Sequence, residues 1–327
     1  MFNFRSSPLL PLARKAVFKP SMPLLIIMTF VIFYISQILS SVPLGVFAAF
    51  LSVSRLSELG AVSEEGELLL SREELLEVMT ELMTNDTVIL ASLFLTVTTI
   101  VVTILWCKFI EKRSLASMGF VGRGALKHYA LGLAIGFALF AVSFLISLST
   151  NALTLNGINT SLNVKMIVLF FLAFVIQGAS EEILLRGCLM MSASNSTRLF
   201  SAVLISSVTF SFLHAGNTGV NMLAFINIIL FGVFMALYML RSGNIWGACA
   251  IHSMWNFAQG NIFGCSVSGM NVGNSILISE LDATRALTNG GEFGPEGGVA
   301  VTLVLVIAIM IVVYLPASKN EQKESAN

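Results

Sequence analysis

Apolar segments long enough to cross a lipid bilayer constrain the fold of this chain more than any other feature. A membrane-spanning helix needs about 20 mostly apolar residues, and eight candidate segments follow one another along the sequence. They cover residues 23–50, 88–109, 130–148, 164–190, 199–214, 221–240, 245–262 and 298–316. The sequence therefore predicts an all-α fold, a polytopic membrane helix bundle with about eight transmembrane helices.

The composition agrees with a membrane location. Of the 327 residues, 56% are hydrophobic and only 11% are charged, whereas soluble domains carry about 25% charged residues. The formal net charge is zero, so no bulk charge points to a nucleic-acid partner, and membrane lipids are the expected surroundings. The four cysteines are scattered without a CxxC pair, so we expect buried free thiols.

Positive charges in the connections between the segments predict the orientation, because lysines and arginines concentrate on the cytoplasmic side. One set of connections, together with both ends of the chain, holds Arg5, Arg14, Lys15, Lys19, Lys108, Lys112, Arg113, Arg123, Lys127, Arg198, Arg241, Lys319 and Lys323. The opposite connections hold only Arg55, Arg72, Lys165 and Arg285. Both termini are therefore expected in the cytoplasm, and an even number of helices agrees with this.

These assignments divide the chain into a cytoplasmic segment 1–22, a single transmembrane domain 23–316 and a cytoplasmic tail 317–327. Two outer loops are long, 52–87 and 263–297. In the first loop, Ser71 and Glu74 have the spacing of a capping box, which predicts an amphipathic helix over 71–83. Its expected apolar face is Leu75, Leu76, Met79, Leu82 and Met83. The second loop is rich in glycine and is expected to be irregular.

The stretch "QGASEEILLRG" (177–187) places three ionisable residues inside an apolar segment. Each charge in a bilayer costs at least about 2.5 kcal/mol, so the three need an explanation. Glu182 and Arg186 are four residues apart and face each other on a helix. Glu181 is turned by about 100° from Glu182 and has no partner at helical spacing. The pattern thus predicts that Glu182 is paired and that Glu181 is free for chemistry. The alternative is that the residues only form a structural ion pair near the cytoplasmic interface.

Two further polar pairs lie in apolar segments. "FSFLH" places Phe210 and His214 on one helix face, and "HSMWN" does the same for His252 and Asn256. A carboxylate in apolar surroundings is a usable base for a water molecule that a histidine shares. A second histidine and an asparagine amide donate hydrogen bonds to a developing oxyanion. Together these groups suit peptide hydrolysis without a serine or cysteine nucleophile.

The three motifs occur in the order E-E-x-x-x-R, F-x-x-x-H and H-x-x-x-N, and this set resembles the CPBP family. That family comprises the CAAX prenyl endopeptidases, their bacterial relatives and bacteriocin-immunity proteins, and is also called the Abi family. The similar core spans about 164–262, under a third of the chain. The resemblance implies a CAAX-type intramembrane endopeptidase that cuts a membrane-associated protein or peptide, and we expect it in a bacterial plasma membrane.

The resemblance also implies roles for single residues. Glu181 and His214 correspond to the pair that activates water, while His252 and Asn256 correspond to the pair that stabilises the oxyanion. The expected supporting residues are Glu182, Arg186 and Phe210. The family's mechanism is a metal-free glutamic one, so no cofactor and no metal site are expected.

Several alternatives stay open from the residues alone. Glu181, His214 and His252 are also a possible three-ligand zinc site. Buried Glu, His and Asn also occur in transporters, and a family member with a complete site can act as a non-catalytic immunity or scaffold protein. The sequence carries no signal for the oligomeric state.

The depths of the motif residues agree only partly with a site that opens toward the cytoplasm. At 1.5 Å per residue, Glu181 lies about 14 Å and His252 about 11 Å from the cytoplasmic ends of their segments. His214 lies over about 20 Å from the start of its segment. We expect the endopeptidase site to open toward the cytoplasm, and the depth of His214 is the one observation that does not fit this expectation.

Overall fold

The structure is a computed structural model and describes residues 2–61 and 69–316. Its main elements are eight apolar helices, which confirms the expected all-α membrane bundle. They are α1 Met22–Glu58, α2 Asp86–Ile110, α3 Ala125–Ser149, α4 Val164–Ala193, α5 Leu199–Leu213, α6 Met222–Ser242, α7 Trp246–Phe257 and α8 Val299–Tyr314. The expected tail 317–327 lies outside the described residues, as do residues 62–68 of the first outer loop.

Five of these helices, α1, α2, α3, α4 and α6, are long and apolar enough to cross a membrane. Helices α5 and α8 are apolar but shorter, and α7 continues beyond Phe257 as a π-helical turn, Ala258–Ile262. The eight predicted segments are thus all helical, but only five have the full length of a membrane span. Because α1 starts and α8 ends on the same side, we call that side the terminus end and the opposite side the far end.

Helix α7 lies at the centre of the bundle, where it packs against α3 and α4. The approach is close enough to require glycine. A Cβ atom on Gly136 of α3 would lie 2.4 Å from the carbonyl oxygen of Ile251, and one on Gly178 of α4 would lie 2.7 Å from the backbone nitrogen of Ser253. Small residues of this kind let membrane helices approach each other. They fix α7, and the motif side chains on it, against α4.

The far end contains a small antiparallel sheet that corrects the expectation of an irregular second outer loop. Strand β1, Leu153–Ile158, follows α3, and strand β2, Leu277–Leu281, lies within the loop 263–297. Leu153 pairs with Leu281 and Ile158 with Leu277, with a bulge between them. The strands are only six and five residues long, and Gly157 interrupts the apolar–polar alternation of β1, so the sequence pattern was weak. The pairing holds the loop over the far end of the bundle.

The surface helix Arg72–Met83 has the predicted capping box, in which Ser71 accepts from the Glu74 backbone and the Glu74 carboxylate accepts from the Ser71 backbone. These bonds from the Ser71 backbone and side chain lower the pKa of Glu74. The predicted apolar face is only partly right. Val78 and Leu82 are the buried residues, whereas Leu76 and Met79 are exposed; the side chain of Met83 lies outside the described residues. The helix packs with its Val78 side on α1 and α2.

The terminus end is closed by the N-terminal segment. Its short helix Leu9–Ala13 is packed beneath α4, and the Asn195 side chain donates to the carbonyl oxygen of Ala13 (3.1 Å). Farther along, the Val17 backbone donates to the carbonyl oxygen of Glu111 (3.1 Å). All four cysteines are free and buried, as expected.

Candidate active site

The two glutamates lie at the last turn of regular α-helix in α4. The α-helical part is Val164–Glu182, and the next residues, Ile183–Met190, are π-helical and buried. Glu182 accepts a hydrogen bond from Arg186 over 3.1 Å, and both side chains are fully buried. The pairing predicted from their spacing is therefore confirmed. π-helical turns concentrate at functional sites.

His252 of α7 lies between the two carboxylates. Its Nδ1 is 2.9 Å from Oε1 of Glu182, and its Nε2 is 3.3 Å from Oε2 of Glu181. The second contact is close but is not aligned as a hydrogen bond. Oε2 of Glu181 therefore has no hydrogen-bond partner among the described residues. Glu181 is also the less buried carboxylate, with 21% of its side chain exposed. Glu181 thus has no partner on its own helix and meets a histidine from another.

The aromatic ring of Phe210 joins the charged groups to both histidines. The guanidinium of Arg186 lies over the ring, 4.6 Å from its centroid. His214 and His252 meet the ring edge-on, with centroid distances of 4.7 and 5.9 Å. A cation over an aromatic face is stabilised by the ring quadrupole. The motif phenylalanine therefore orients three of its polar neighbours.

His214 lies at the end of α5, immediately after Leu213. Its Nδ1 is 3.0 Å from the carbonyl oxygen of Phe210, one turn earlier, and the side chain is half-buried. This explains the depth mismatch noted in the sequence. His214 is indeed near the far end of the bundle, and the cavity that holds the site extends to that end.

Asn256 of α7 has a partner that the sequence analysis missed. Its amide donates a hydrogen bond to Oε1 of Gln177 over 2.9 Å. Gln177 lies one helical turn before Glu181 on α4, so its position in the same polar stretch was the available signal. The contact fixes the Asn256 amide beside the glutamates.

One cavity, with a volume of about 180 Å³, connects these side chains. Glu181, His214, His252, Asn256 and Phe210 all line it. The far-end connections add Asn217, Ser268 and Glu296, which the sequence analysis did not single out. Glu296 stands in "GPEGG", and nothing in that stretch signals a cavity. The structure therefore brings the four motif side chains together and adds a polar cover from the outer loop.

The described residues contain one group of three ligating atoms within 4.8 Å of one another, and it is not the predicted zinc alternative. The group is Cys107, Glu111 and Cys188, all buried near the terminus end. Its carboxylate is already occupied: Oε2 of Glu111 accepts from Arg113 (2.7 Å) and Ser192 (2.6 Å). Since Arg113 supplies the cation there, the group is a structural ion pair.

Comparisons with known proteins give a family-model match over the stretch that carries the motifs. No curated protein and no solved structure matches the chain. The family model "Type II CAAX prenyl endopeptidase Rce1-like" matches residues 163–258, the stretch that carries all three motifs and helices α4 to α7. The match confirms the resemblance to the CPBP family, and residues 163–258 are similar to the Rce1-like CAAX prenyl endopeptidases.

Proposed function

We propose that the protein is an intramembrane endopeptidase that hydrolyses a peptide bond of a membrane-associated substrate with a water molecule activated by Glu181. The observation that carries the proposal is the single cavity shared by Glu181, His214, His252 and Asn256. Family membership of the segment supports a CAAX-type protease at a coarse level. The site geometry supports the finer assignment of roles.

The two glutamates suit different tasks. Glu182 is fully buried and is not among the residues that line the cavity, and its Oε1 contacts both Arg186 and His252, so this carboxylate holds the site together. Glu181 lines the cavity and keeps 21% of its side chain exposed. A carboxylate that lines a cavity can accept a proton from water. His214, on the same cavity, orients that water from the other side.

His252 and Asn256 suit the stabilisation of an oxyanion. The site contains the carboxylates of Glu181 and Glu182, the guanidinium of Arg186 and the imidazole of His252. The charges of these four groups sum to zero when His252 carries a proton on both ring nitrogens. In that form Nδ1 donates to Glu182, and Nε2 is a donor beside the cavity. One N–H of the Asn256 amide is bonded to Gln177, which leaves the other for the substrate. Donors fixed before the reaction stabilise developing charge most effectively.

The proposed reaction balances with these groups alone. Glu181 takes a proton from water while the water oxygen attacks the scissile carbonyl carbon. The carbonyl oxygen becomes the oxyanion, held by His252 and Asn256. The protonated Glu181 then gives its proton to the leaving amine as the C–N bond breaks, and its carboxylate is regenerated.

The zinc-dependent version is the second hydrolytic candidate. It requires Glu181, His214 and His252 to bind one ion, but these three do not form a compact ligand group among the described residues. Both ring nitrogens of His252 already face carboxylates. These features favour the metal-free mechanism and no cofactor.

The test is a comparison of membranes from cells that carry the wild-type protein, Glu181→Gln or Glu280→Gln. Glu280 is an exposed residue of β2, so its change is a matched control for the loss of one carboxylate. Mass spectrometry of new peptide N-termini should find the same cleavage products with wild type and Glu280→Gln, and none of them with Glu181→Gln. Identical termini in all three samples would contradict the protease proposal and favour the immunity, scaffold or transport alternatives.

A further inference from the structure

The cavity lies toward the far end of the bundle, away from the chain termini. Its floor is formed by Glu181 and His252 near mid-bundle, and its walls use residues close to the far-end starts of helices. Asn227 is five residues into α6, and Val301 is two residues into α8. At 1.5 Å per residue, these positions are within about 8 Å of the far ends of their helices.

The cover of the cavity also belongs to the far end. We call it the roof, residues 266–270 and 294–296. Glu296 accepts hydrogen bonds from the backbone and hydroxyl of Ser268, both over 2.8 Å, and one from the Trp255 indole over 3.3 Å. Asn217, just beyond His214, donates to the carbonyl oxygen of Ser268 over 2.9 Å. Polar contacts thus hold the roof to the connection between α5 and α6 and to α7.

The opposite side of the site is sealed. Every residue from 182 to 193 is buried, including Arg186 directly behind the glutamates. Beneath them lies the buried Glu111–Arg113 pair, which the N-terminal segment covers. Arg113 reaches across to the carbonyl oxygens of Gly187 (3.3 Å) and Cys188 (3.4 Å) of α4. Within the part of the chain that the structure describes, buried side chains therefore separate Glu181 from the terminus end.

The distribution of lysines and arginines indicates on which side of the membrane the far end lies. Thirteen of the 18 lysines and arginines belong to the terminus end or the chain ends, four belong to the far end, and the last is Arg186. Such an asymmetry places the terminus end in the cytoplasm. The cavity lies toward the far end, opposite to the chain termini. If the termini are cytoplasmic, the cavity cannot open to the cytoplasm, so the expectation of a cytoplasmic opening conflicts with the geometry.

We propose that the cavity is served from the extracytoplasmic side, beneath the roof, and that its substrate is an extended peptide segment at the extracytoplasmic surface of the membrane. The substrate class rests on the proposed endopeptidase function; the direction of access does not. A cavity of about 180 Å³ is smaller than the roughly 300–1,000 Å³ of sites that enclose small-molecule ligands. The roof must therefore move away from the α5–α6 connection and from α7 to admit a peptide.

The experiment uses single reporter cysteines in the full-length protein and a membrane-impermeant maleimide, so it reads access without needing cleavage. Thr218 and Ser114 are exposed hydroxyl residues in far-end and terminus-end connections, and they form a matched pair. His214→Cys reports on the cavity itself. The four native cysteines are buried and give little background labelling.

In intact cells, Thr218→Cys and His214→Cys should be labelled, whereas Ser114→Cys should be labelled only after permeabilisation. Adding Glu296→Gln to His214→Cys should raise its labelling rate about 3-fold or more, because a carboxylate acceptor holds the roof more strongly than an amide. Labelling of Ser114→Cys in intact cells would overturn the proposal. Labelling of Thr218→Cys or His214→Cys only after permeabilisation would overturn it too. Either result would leave the proposed hydrolysis untouched, since the comparison of Glu181→Gln membranes tests that separately.

Discussion

Replacing Arg186 with alanine should destabilise the folded protein, because Arg186 is fully buried between Glu182 and Phe210. Removing one partner of a buried ion pair costs roughly 3–5 kcal/mol. Glu182 keeps its hydrogen bond to His252, so the lower figure of about 3 kcal/mol applies to the pair. The lost contact with the Phe210 ring adds about 1 kcal/mol. The total of about 4 kcal/mol lowers the folded-to-unfolded ratio by roughly three orders of magnitude.

The assay is thermal unfolding of the full-length protein in detergent, together with its yield as a monodisperse species. At about 2 °C per kcal/mol for a chain of this size, the midpoint should fall by about 8 °C. The double variant Glu182→Gln/Arg186→Met is the control, because removing both charges leaves no unpaired ion and should recover much of the loss. If Arg186→Ala accumulates and melts like the wild type while Glu181→Gln does not, the two glutamates have been assigned the wrong way round.

Three further outcomes are expected. Glu181→Gln should melt within about 1 °C of the wild type, since its carboxylate holds no hydrogen bond at Oε2 and the substitution changes little volume; a large drop would make Glu181 structural. Purified active protein should contain less than one equivalent of zinc and keep its cleavage activity after treatment with a chelator, whereas a zinc enzyme would lose activity and regain it with the metal. Gly136→Ala should lower stability by about 1–3 kcal/mol through overpacking against Ile251, measured by the same melts, while Gly45→Ala, whose Cβ meets nothing within 4 Å, should not.

The sequence predicted the helices and the pairing of Glu182 with Arg186, because both depend on spacing along a single helix. A four-residue separation is enough to pair Glu182 with Arg186. The same reasoning cannot find the histidine between the carboxylates, since His252 is 70 residues away from Glu182 in the chain. Periodicity reports which face of a helix a residue occupies but not how far one helix is shifted along another.

The end of the bundle toward which the cavity opens depends on those shifts. Helix α5 stops at Leu213, and this short length brings His214 to the roof. The roof itself depends on a pairing between β1 and β2 across more than 100 residues. Glu296 reaches the cavity only through that fold, so no local pattern around it indicated a role.

The N-terminal segment has a consequence for how the protein is made. The Phe2 backbone donates to the carbonyl oxygen of Val313 in α8 (3.0 Å), and the Phe2 ring lies beside Arg241 of α6 (5.2 Å). The ribosome makes Phe2 before all eight helices and Val313 only at the end of α8, so the Phe2 contact cannot form until the helices between them have been inserted. We therefore expect a fusion partner joined directly ahead of Phe2 to impair late assembly, and reporters for this protein belong after the final helix.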